Sequence, residues 1–577
     1  MPLKFDPPQR QSAVRPAIAL RTALGRYGVS DLRSDVLAGL VVGVVALPLS
    51  MALAIASGVP PQFGLYTAIV AGAVTALLGG SMRQVSGPTA AFVVLLVPVT
   101  QQFGPGGLML ATLLAGIILV GMALARLGRL ILFIPFPVTT GFTTGIAIVI
   151  ASMQLKDFFG LPIARMDEHF IARLGQIGSA LGQLSWPDFA VGVLTLGLLT
   201  VLPRVVRSVP APLLALPAAA LVGWGLQQAG LPVHTIHSRF GGVPQALPSV
   251  MWPWQAPGAD GAPLGMSFEL LRALIGPAFA IAMLGAIESL LSAVVADGIT
   301  GDEHDPDTEL FAQGVGNIAA PFFGGFAATG AIARTATNIR AGARSPVAAV
   351  VHALFILIAI LALAPALGYL PMAGLAAMLL ITARNMAELR HVVHTLRVAP
   401  RGDTLVLLLC ITLTVLFDMV VSVSVGVVLA ALLFMGRMAD LARAEEVLGG
   451  HPHLREPLPP GVLLYQIAGP LFFGAARKAV GALRVIQDGV RIVILDMTAV
   501  PMMDATGLVN LESTMDRLHN DGVYVVIAGI QAQPHALMVR AGWRNRGWLT
   551  IYRNFEDAVV FTRTLAASDL EHRPAAN

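Results

Sequence analysis

Long apolar stretches recur along the first three quarters of the chain, and they constrain its fold more than any other feature. They begin near Val36, end near Leu433 and are about 18 to 25 residues long, enough to cross roughly 30 Å of hydrocarbon as α-helices. The chain is 56% hydrophobic and 12% charged, with a mean hydropathy of +0.76. One soluble core could not bury so much apolar surface, so the sequence predicts a polytopic membrane protein.

The composition changes near residue 437, where charged residues return to an ordinary density. Strands are predicted at 461–468, 490–496 and 522–528 and helices at 474–487 and 507–520, an alternation typical of an α/β domain. The predicted divisions are a cytoplasmic N-terminal segment (1–35), a transmembrane transport domain (36–436), a linker (437–455), a soluble α/β domain (456–570) and a disordered tail (571–577).

The basic residues predict the topology. The net charge is +4 and the pI near 9.5, but the arginines are scattered over short loops and form no stripe, so nucleic acid is not an expected partner. The N-terminal segment is basic and lacks the apolar core of a signal peptide. Arg83, Arg126, Arg204 and Arg340 fall in alternate loops, which predicts a multi-pass protein of the inner (plasma) membrane with both termini in the cytoplasm.

Fourteen spans are predicted, and their order suggests two inverted repeats of seven helices. Spans three and ten, at 88–100 and 330–341, are too short to cross the bilayer and begin in small, glycine-containing segments. The spans are 36–58, 62–79, 88–100, 108–126, 137–155, 187–203, 210–228, 270–296, 308–323, 330–341, 346–366, 371–389, 403–418 and 420–436.

The two short spans predict an anion site. Half-helices inside a membrane are tolerated where they line a cavity, and their N-termini present free N–H groups and partial positive charge. Pro88 suits a first helical turn, Thr89 offers a hydroxyl, and Gly87 and Gly330 allow close approach of a ligand. The alternative is that short glycine-rich helices are packing devices.

Few ionisable residues lie at membrane depth, which makes each of them a functional candidate. Glu288 lies in span eight on a small, polar helix face with Ser292, and Arg334 lies in the first turn of span ten, where a cation opposes the helix dipole. Either the two pair in the empty site, or an anion binds Arg334 while Glu288 takes up a proton. A fixed ion pair that only locks two helices is the structural alternative. His352 is expected to be a satisfied polar group and Cys410 a small buried residue.

Five segments together resemble the SulP family, also called SLC26. They are 47–54 (Leu-Pro-Leu-Ser-Met-Ala-Leu-Ala), 86–91 (Ser-Gly-Pro-Thr-Ala-Ala), the Glu288 helix ending at 295–298 (Val-Ala-Asp-Gly), 313–317 (Gln-Gly-Val-Gly-Asn) and 329–335 (Thr-Gly-Ala-Ile-Ala-Arg-Thr). The resemblance implies two inverted seven-helix repeats of the UraA/SLC26 type, a core domain (spans 1–4 and 8–11), a gate domain, and elevator-like motion between them.

In that family the anion lies between the starts of spans three and ten, with spans one and eight contributing. Carried onto this sequence, the resemblance implies substrate-binding roles for Ser50, Met51, Ala52, Gly87, Pro88, Thr89, Ala90, Ala91, Gly330, Ala331, Ile332, Ala333 and Arg334.

The resemblance also bears on the coupling ion. Sodium-coupled bicarbonate members of the family look as if they use an Asp at the position of Glu288 and a Thr near the start of span ten, where this chain has Ile332. A Glu resembles members thought to be proton-coupled, including dicarboxylate carriers, so the proton is expected at Glu288 and sodium is disfavoured. Ser292 is a candidate cation ligand, with hydrogen bonding to its own helix as the alternative.

The soluble domain resembles STAS domains, which are related to anti-sigma-factor antagonists. The resemblance rests on 494–507, where Asp504 and Thr506 stand at a strand, loop and helix start. Thr506 occupies the position of the residue that is phosphorylated in those antagonists, and plain helix capping is the alternative. STAS domains of this family pack between protomers or bind partners, which implies a homodimer and a cytoplasmic protein partner.

The expected function is secondary active transport of a small anion, with sulfate, C4-dicarboxylate and bicarbonate as candidates. No enzyme, cofactor or metal motif is found, so an ion gradient is the expected energy source. An exchanger or channel-like anion pathway is one alternative, and a membrane scaffold or sensor acting through the STAS domain is another.

Overall fold

The computed structural model describes residues 14–25, 27–129, 134–206, 209–417, 419–441, 443–447, 454, 456–472 and 489–571. Outside these ranges lie residues 1–13 of the predicted N-terminal segment, residues 442, 448–453 and 455 of the predicted linker, the predicted helix 474–487 and residues 572–577 of the predicted tail. Packing divides the chain into two compact units, residues 1–427 and 428–577.

The membrane part is built from helices that follow the predicted spans. Nine helices of the described ranges are long and apolar enough to cross a membrane. In chain order the helices are α1 (Ile18–Leu24), α2 (Val29–Ala56), α3 (Pro61–Leu78), α4 (Ala90–Leu124), α5 (Phe136–Phe158), α6 (Phe170–Ala180), α7 (Trp186–Val205), α8 (Ala211–Gln228), α9 (Ile236–Phe240), α10 (Phe268–Thr300), α11 (Pro306–Ala319), α12 (Ile332–Arg340), α13 (Val347–Leu367), α14 (Met372–Met386), α15 (Leu389–Val398), α16 (Arg401–Leu416) and α17 (Met419–Leu441).

Spans three and four differ from the prediction because they form one kinked element, α4. The sequence suggested a loop between 100 and 108. Only Gly104 leaves the helical conformation there, at φ 72° and ψ −176°, and Pro105 follows it directly. A single glycine in the left-handed region redirects the chain without a loop. The N–H of Gly106 then donates to the Pro257 carbonyl at 2.9 Å.

The helices of the first unit pack in two groups. Helices α2, α3, α4, α10, α11, α12 and α13 pack on one another, and α5, α7, α8, α14 and α16 pack on one another. These groups correspond to the core and gate sets expected for spans 1–4 with 8–11 and for spans 5–7 with 12–13. The outer faces of α7 and α8 carry exposed side chains such as Val201, Leu221 and Trp224, as lipid-facing surfaces do.

Buried Asp35 joins the first turns of α2 to the segment before α13. Its carboxylate accepts hydrogen bonds from the Tyr27 hydroxyl at 2.8 Å and from the N–H groups of Arg344 at 2.6 Å and Ser345 at 3.2 Å. Burial and the bond to Asp35 raise the pKa of Tyr27 to about 12, so the phenol remains a donor. The contact fixes the start of the first repeat against the second.

The second unit contains a five-stranded sheet in the order β3-β4-β5-β6-β7, with β3 antiparallel and the others parallel. Its central strand β5 is buried on both faces over its first half, where the four consecutive residues 492–495 are apolar. The predicted strands and the helix 507–520 are confirmed. The elements are β3 (Arg443–Glu446), β4 (Val462–Ala468), β5 (Ile492–Ala499), α18 (Ala505–Asn520), β6 (Tyr524–Ala528), α19 (Ala532–Arg540), β7 (Leu549–Ile551) and α20 (Phe555–Glu571).

Helix packing in the core group depends on glycine. A Cβ atom added at Gly64 of α3 would lie 1.9 Å from the Ser50 carbonyl oxygen of α2, whereas one added at Gly121 of α4 would meet nothing within 4 Å. Close approach of small residues is a common basis of helix association in membranes. The two glycines therefore form a matched test of this contact.

We expect Gly64→Ala to destabilise the protein by about 1–3 kcal/mol or more, because backbone must move to admit the methyl group. Gly121→Ala is expected to be neutral or slightly stabilising. Thermal unfolding in detergent, followed by loss of the monodisperse peak, measures both. Equal unfolding temperatures for the two variants would contradict the close contact.

Candidate functional site

The two half-helices begin at a short piece of sheet that the sequence did not predict. Strand β1 (Ser86–Gly87) pairs antiparallel with β2 (Thr329–Gly330), and Ser86 lies opposite Gly330. All four residues are buried. One strand comes from each repeat, so this pairing brings the starts of α4 and α12 together.

Helix α4 begins two residues later than expected, which corrects the role of Pro88. Thr89 is the N-cap and Ala90 the first helical residue, so Pro88 precedes the helix and does not lie in its first turn. The Thr89 side chain does not cap the helix. Its hydroxyl donates to Oε2 of Glu288 at 3.0 Å, which leaves the first N–H groups of α4 without a side-chain cap.

Helix α12 also begins without a side-chain cap, at Ile332 after Ala331. Gly330, predicted to start this helix, lies in β2, and its N–H donates to the Ser289 hydroxyl at 3.1 Å. The Ala331 N–H donates to the Val85 carbonyl at 2.9 Å, so the backbone just before the helix is anchored to both repeats.

Arg334 lies between the two helix starts. It is 4% exposed, one terminal nitrogen, Nη2, donates to the Pro88 carbonyl, and the other, Nη1, has no hydrogen-bond partner among the residues that the structure describes. A Cβ atom at Gly87 would lie 2.6 Å from Nη1, so only glycine accommodates the guanidinium there. A buried guanidinium N–H without an acceptor favours an anionic partner.

Glu288 lies near Arg334 but does not form an ion pair with it. No distance of 4 Å or less joins the two side chains, and the partly exposed Glu288 carboxylate has Thr89 as its hydrogen-bond donor. The fixed ion pair considered from the sequence is therefore not formed. The site combines one free guanidinium edge, two uncapped helix starts and one carboxylate, which suits an anion together with a proton.

Hydroxyl groups of α10 support this site. Ser289 and Thr329 share a hydrogen bond of 2.7 Å, and Ser292 donates to the Thr335 hydroxyl at 3.2 Å. Ser292 thus does not donate to a carbonyl of its own helix, which was the alternative interpretation from the sequence. The hydroxyl proton of Ser292 is donated to α12.

The remaining predicted site residues differ in their surroundings. Ser50, Met51 and Ala52 are fully buried in α2, which packs against α12, and the Ser50 hydroxyl has no hydrogen-bond partner. No hydrogen bond joins them to the half-helix starts in the described part of the chain. Ala90 and Ala91 are buried, whereas Ile332 is 37% exposed and Ala333 is exposed.

Residues of α11 that the sequence interpretation did not assign to the site hold both loops in place. Glu309, Gln313 and Asn317 are buried and bond to the segments before β1 and β2. Their spacing of four residues puts them on one helix face, and this polar stripe in an apolar region was the available signal.

Other predictions for buried residues have mixed outcomes. His352 of α13 is fully buried, but neither ring nitrogen has a hydrogen-bond partner in the described part of the chain, contrary to the expectation of a satisfied polar group. Cys410 is buried as expected. Among the described residues, no group of three or more His, Cys, Asp or Glu side chains is arranged to hold a metal ion.

In the soluble domain, Asp504 rather than Thr506 caps the helix. The Asp504 carboxylate accepts the Gly507 N–H of α18 at 2.7 Å, while Thr506 is exposed at the second helical position. The capping interpretation of Thr506 is therefore wrong. Its hydroxyl lies at the surface near a helix N-terminus.

Comparison with known proteins decides the family. The model of the sulfate permease family matches residues 32–410, and that of the STAS domain matches residues 456–558. This chain belongs to the sulfate permease family. The SulP resemblance is confirmed, and the chain is a multi-pass member of a family of anion transporters.

Relatives of the family match along most of the chain. The putative sulfate transporter YvdB of Bacillus subtilis is 39% identical over 89% of this chain and 95% of that protein. The bicarbonate transporter BicA of Picosynechococcus is 29% identical over 87% of this chain and 89% of that protein. Both are named as transporters.

Solved structures support the fold. The mouse anion transporter Slc26a9 in its inward-facing state superposes with a TM-score of 0.82 at 19% identity and covers 97% of both chains. The transmembrane domain of a cyanobacterial BicA gives 0.61 at 26% identity and covers 69% of this chain and 98% of that one. The predicted SLC26 fold with a C-terminal STAS domain is confirmed.

The capping assignment in α18 is testable. We expect Asp504→Ala to cost about 0.5–2 kcal/mol of stability, because the Gly507 N–H loses its acceptor, and Thr506→Ala to stay within about 0.5 kcal/mol. Thermal unfolding of the full chain compares the two. Equal losses would show that both side chains cap the helix.

Proposed function

We propose that this protein is a secondary active transporter that moves a small anion by proton symport. The anion binds between the N-termini of α4 and α12, and an elevator-type movement of the core helices against the gate helices carries it across the membrane. Both termini face the cytoplasm and the protein resides in the plasma membrane, in line with the distribution of arginines in the loops.

One observation carries the proposal: the buried Nη1 of Arg334 has no acceptor and lies beside Gly87 between two uncapped helix starts. An anion placed there gains a charge-assisted hydrogen bond and the positive ends of both helix dipoles. These interactions select negative charge more than shape. Sulfate, bicarbonate and C4-dicarboxylates all suit them, and the names of the relatives favour the first two.

Glu288 is the proposed proton carrier. It is partly exposed, has the Thr89 hydroxyl as its hydrogen-bond donor, and belongs to no ion pair with Arg334. A carboxylate beside an incoming anion is repelled, and taking up a proton removes the repulsion. Sodium is disfavoured, since the side chain of Ile332 offers no oxygen.

The packing of helices supports the elevator movement. The core group is held together by the β1–β2 pair and by α11, whereas α2, α4, α8 and α14 make sparser contacts across its boundary with the gate group. A boundary of this kind favours sliding of one rigid group past the other.

The STAS domain is proposed to bind a cytoplasmic partner or a second protomer. Exposed Thr506 lies at the helix N-terminus, where a phosphate group gains favourable dipole interactions, and Asp504 nearby opposes it. Thr506 is therefore proposed as a regulatory site, with Asp504 as its neighbour.

Removal of the Arg334 side chain tests the anion site. We expect Arg334→Ala to weaken anion affinity by roughly 10- to 100-fold, because hydrogen bonds to charged groups contribute about 1.5–3 kcal/mol. Arg340→Ala is the matched control, since Arg340 is exposed at the other end of α12. Anion protection against thermal unfolding measures both. Equal affinities for Arg334→Ala and Arg340→Ala would place the anion elsewhere.

Uptake into proteoliposomes tests coupling. Labelled sulfate, bicarbonate, fumarate and succinate are compared with and without an inward proton gradient, and one of them should respond to it. Glu288→Gln should lose this response, because an amide keeps a bond to Thr89 but binds no proton.

The control for coupling is Glu269→Gln, an exposed position in the first turn of the same helix α10. It should transport like the wild type. Uptake that is indifferent to protons and sodium in the wild type would indicate exchange or a channel. Uptake of no anion would favour the scaffold hypothesis.

A further inference from the structure

Helix α11 carries a polar stripe that is buried within the core helices. Glu309, Gln313 and Asn317 follow one another at intervals of one turn, and their exposed fractions are 2%, 0% and 1%. Ionisable and amide side chains buried in a membrane protein are costly unless each polar atom is used. The three side chains do not reach the proposed anion position directly. Their hydrogen-bond partners therefore indicate their role.

The Glu309 carboxylate collects four N–H donors. Its Oε2 accepts from the Gly80 and Ser81 backbone at 3.0 and 3.1 Å, and its Oε1 accepts from the side-chain amides of Gln84 and Gln313 at 3.0 and 3.2 Å. No ion pair of 4 Å or less involves Glu309 in the described ranges. A carboxylate accepts only, so it matches this set, whereas an amide would turn an NH₂ group toward two of the donors.

Gln313 and Gln84, the two amide partners of this carboxylate, connect it to the proposed anion site. Gln313 also donates to the Ser86 hydroxyl of β1 at 2.6 Å. Gln84 precedes Val85, whose N–H donates to the Thr335 hydroxyl of α12 at 3.1 Å. Loop 79–85 is therefore tied both to the strand that precedes Pro88 and to the half-helix that carries Arg334.

One turn further along the stripe, Asn317 holds the segment that precedes β2 in the second repeat. The Asn317 amide donates to the Ala328 carbonyl at 2.9 Å and accepts the Ala328 N–H at 2.8 Å. Ala328 directly precedes β2. Packing leaves little slack, since a Cβ atom at Gly330 would lie 2.1 Å from the Gln84 amide nitrogen.

The geometry points to Glu309 as a positioning residue for anion binding. Its carboxylate sets loop 79–85, and through Gln313 and Ser86 it sets the β1–β2 pair, so that the Pro88 carbonyl and the two helix starts meet Arg334 in the binding arrangement. Glu309 itself does not touch the anion. This inference rests on the proposed anion site.

Variants of Glu309 test the inference in the full-length protein. With the anion that the wild type transports, we expect Glu309→Gln to raise KM roughly tenfold, equivalent to about 1.4 kcal/mol of binding, with a smaller effect on the maximal rate. The double variant Glu309→Gln with Gln313→Glu returns a carboxylate to the stripe one turn away. It should recover part of the loss, because the carboxylate introduced at position 313 can accept from the Ser86 hydroxyl and from the amide introduced at position 309.

Asp188→Asn is the matched control. Asp188 of α7 is also a buried carboxylate, 1% exposed, and accepts the His234 N–H at 2.9 Å and the Ser185 hydroxyl at 2.7 Å. It belongs to the gate group and has no bond to loop 79–85. The variant should lower the unfolding temperature and leave KM unchanged.

The outcomes distinguish a purely structural role of Glu309 from a positioning role in anion binding. If Glu309→Gln lowers the unfolding temperature as Asp188→Asn does but leaves KM unchanged, the inference is overturned. If Glu309→Gln does not fold, Ser86→Ala decides, since it removes only the link to Gln313 and should raise KM about threefold, equivalent to roughly 0.6 kcal/mol. An unchanged KM in Ser86→Ala would also overturn it. Failure of the anion site itself is seen separately, as an unchanged affinity in Arg334→Ala.

Discussion

Two stretches of buried, non-helical backbone, 79–89 and 324–331, set the requirements for the rest of the core group. Lipid supplies no hydrogen bonds, so irregular backbone in a membrane protein needs partners from its own chain. The two stretches pair with each other through β1 and β2 and take further bonds from α3, α10, α11 and α12. Thr67 of α3, for example, accepts the Phe326 N–H at 2.8 Å. The starts of α4 and α12 have no side-chain cap, whereas the backbone around them is satisfied by these partners.

The two glutamates of the core group show how different surroundings assign different roles to one side chain. Glu309 is fully buried and accepts hydrogen bonds from four N–H donors, and its proposed contribution is positional. Glu288 has a single hydroxyl donor and is partly exposed, so its carboxylate is less fully hydrogen-bonded and is the proposed proton carrier. In Arg334 one terminal nitrogen donates to the Pro88 carbonyl, and the other is the proposed hydrogen-bond donor to the anion.

Hydropathy was sufficient to predict most of the long helices of the membrane part, and glycine-rich starts were sufficient to single out the segments before α4 and α12. The β1–β2 pair escaped prediction because two-residue strands have no periodicity. Glu309 escaped because its partners are distant along the chain, with Gln84 225 residues away. The start of α4 was misplaced because Pro88 is compatible both with a first turn and with the extended segment before one. His352 was misjudged because its sequence neighbours do not reveal whether a buried imidazole finds a partner.

The β1–β2 pair also has a consequence for motion. Each strand belongs to a different repeat. Val85 adds two hydrogen bonds, since its carbonyl accepts the Ala331 N–H and its own N–H donates to the Thr335 hydroxyl. To draw the two half-helices apart, the protein would have to break all of these buried bonds together, with no water to replace them. Thermal fluctuations will instead be concentrated where bonds are few, at the edges between the helix groups. The strand pair therefore joins the two repeats into one stiff body, in which the starts of α4 and α12 stay together.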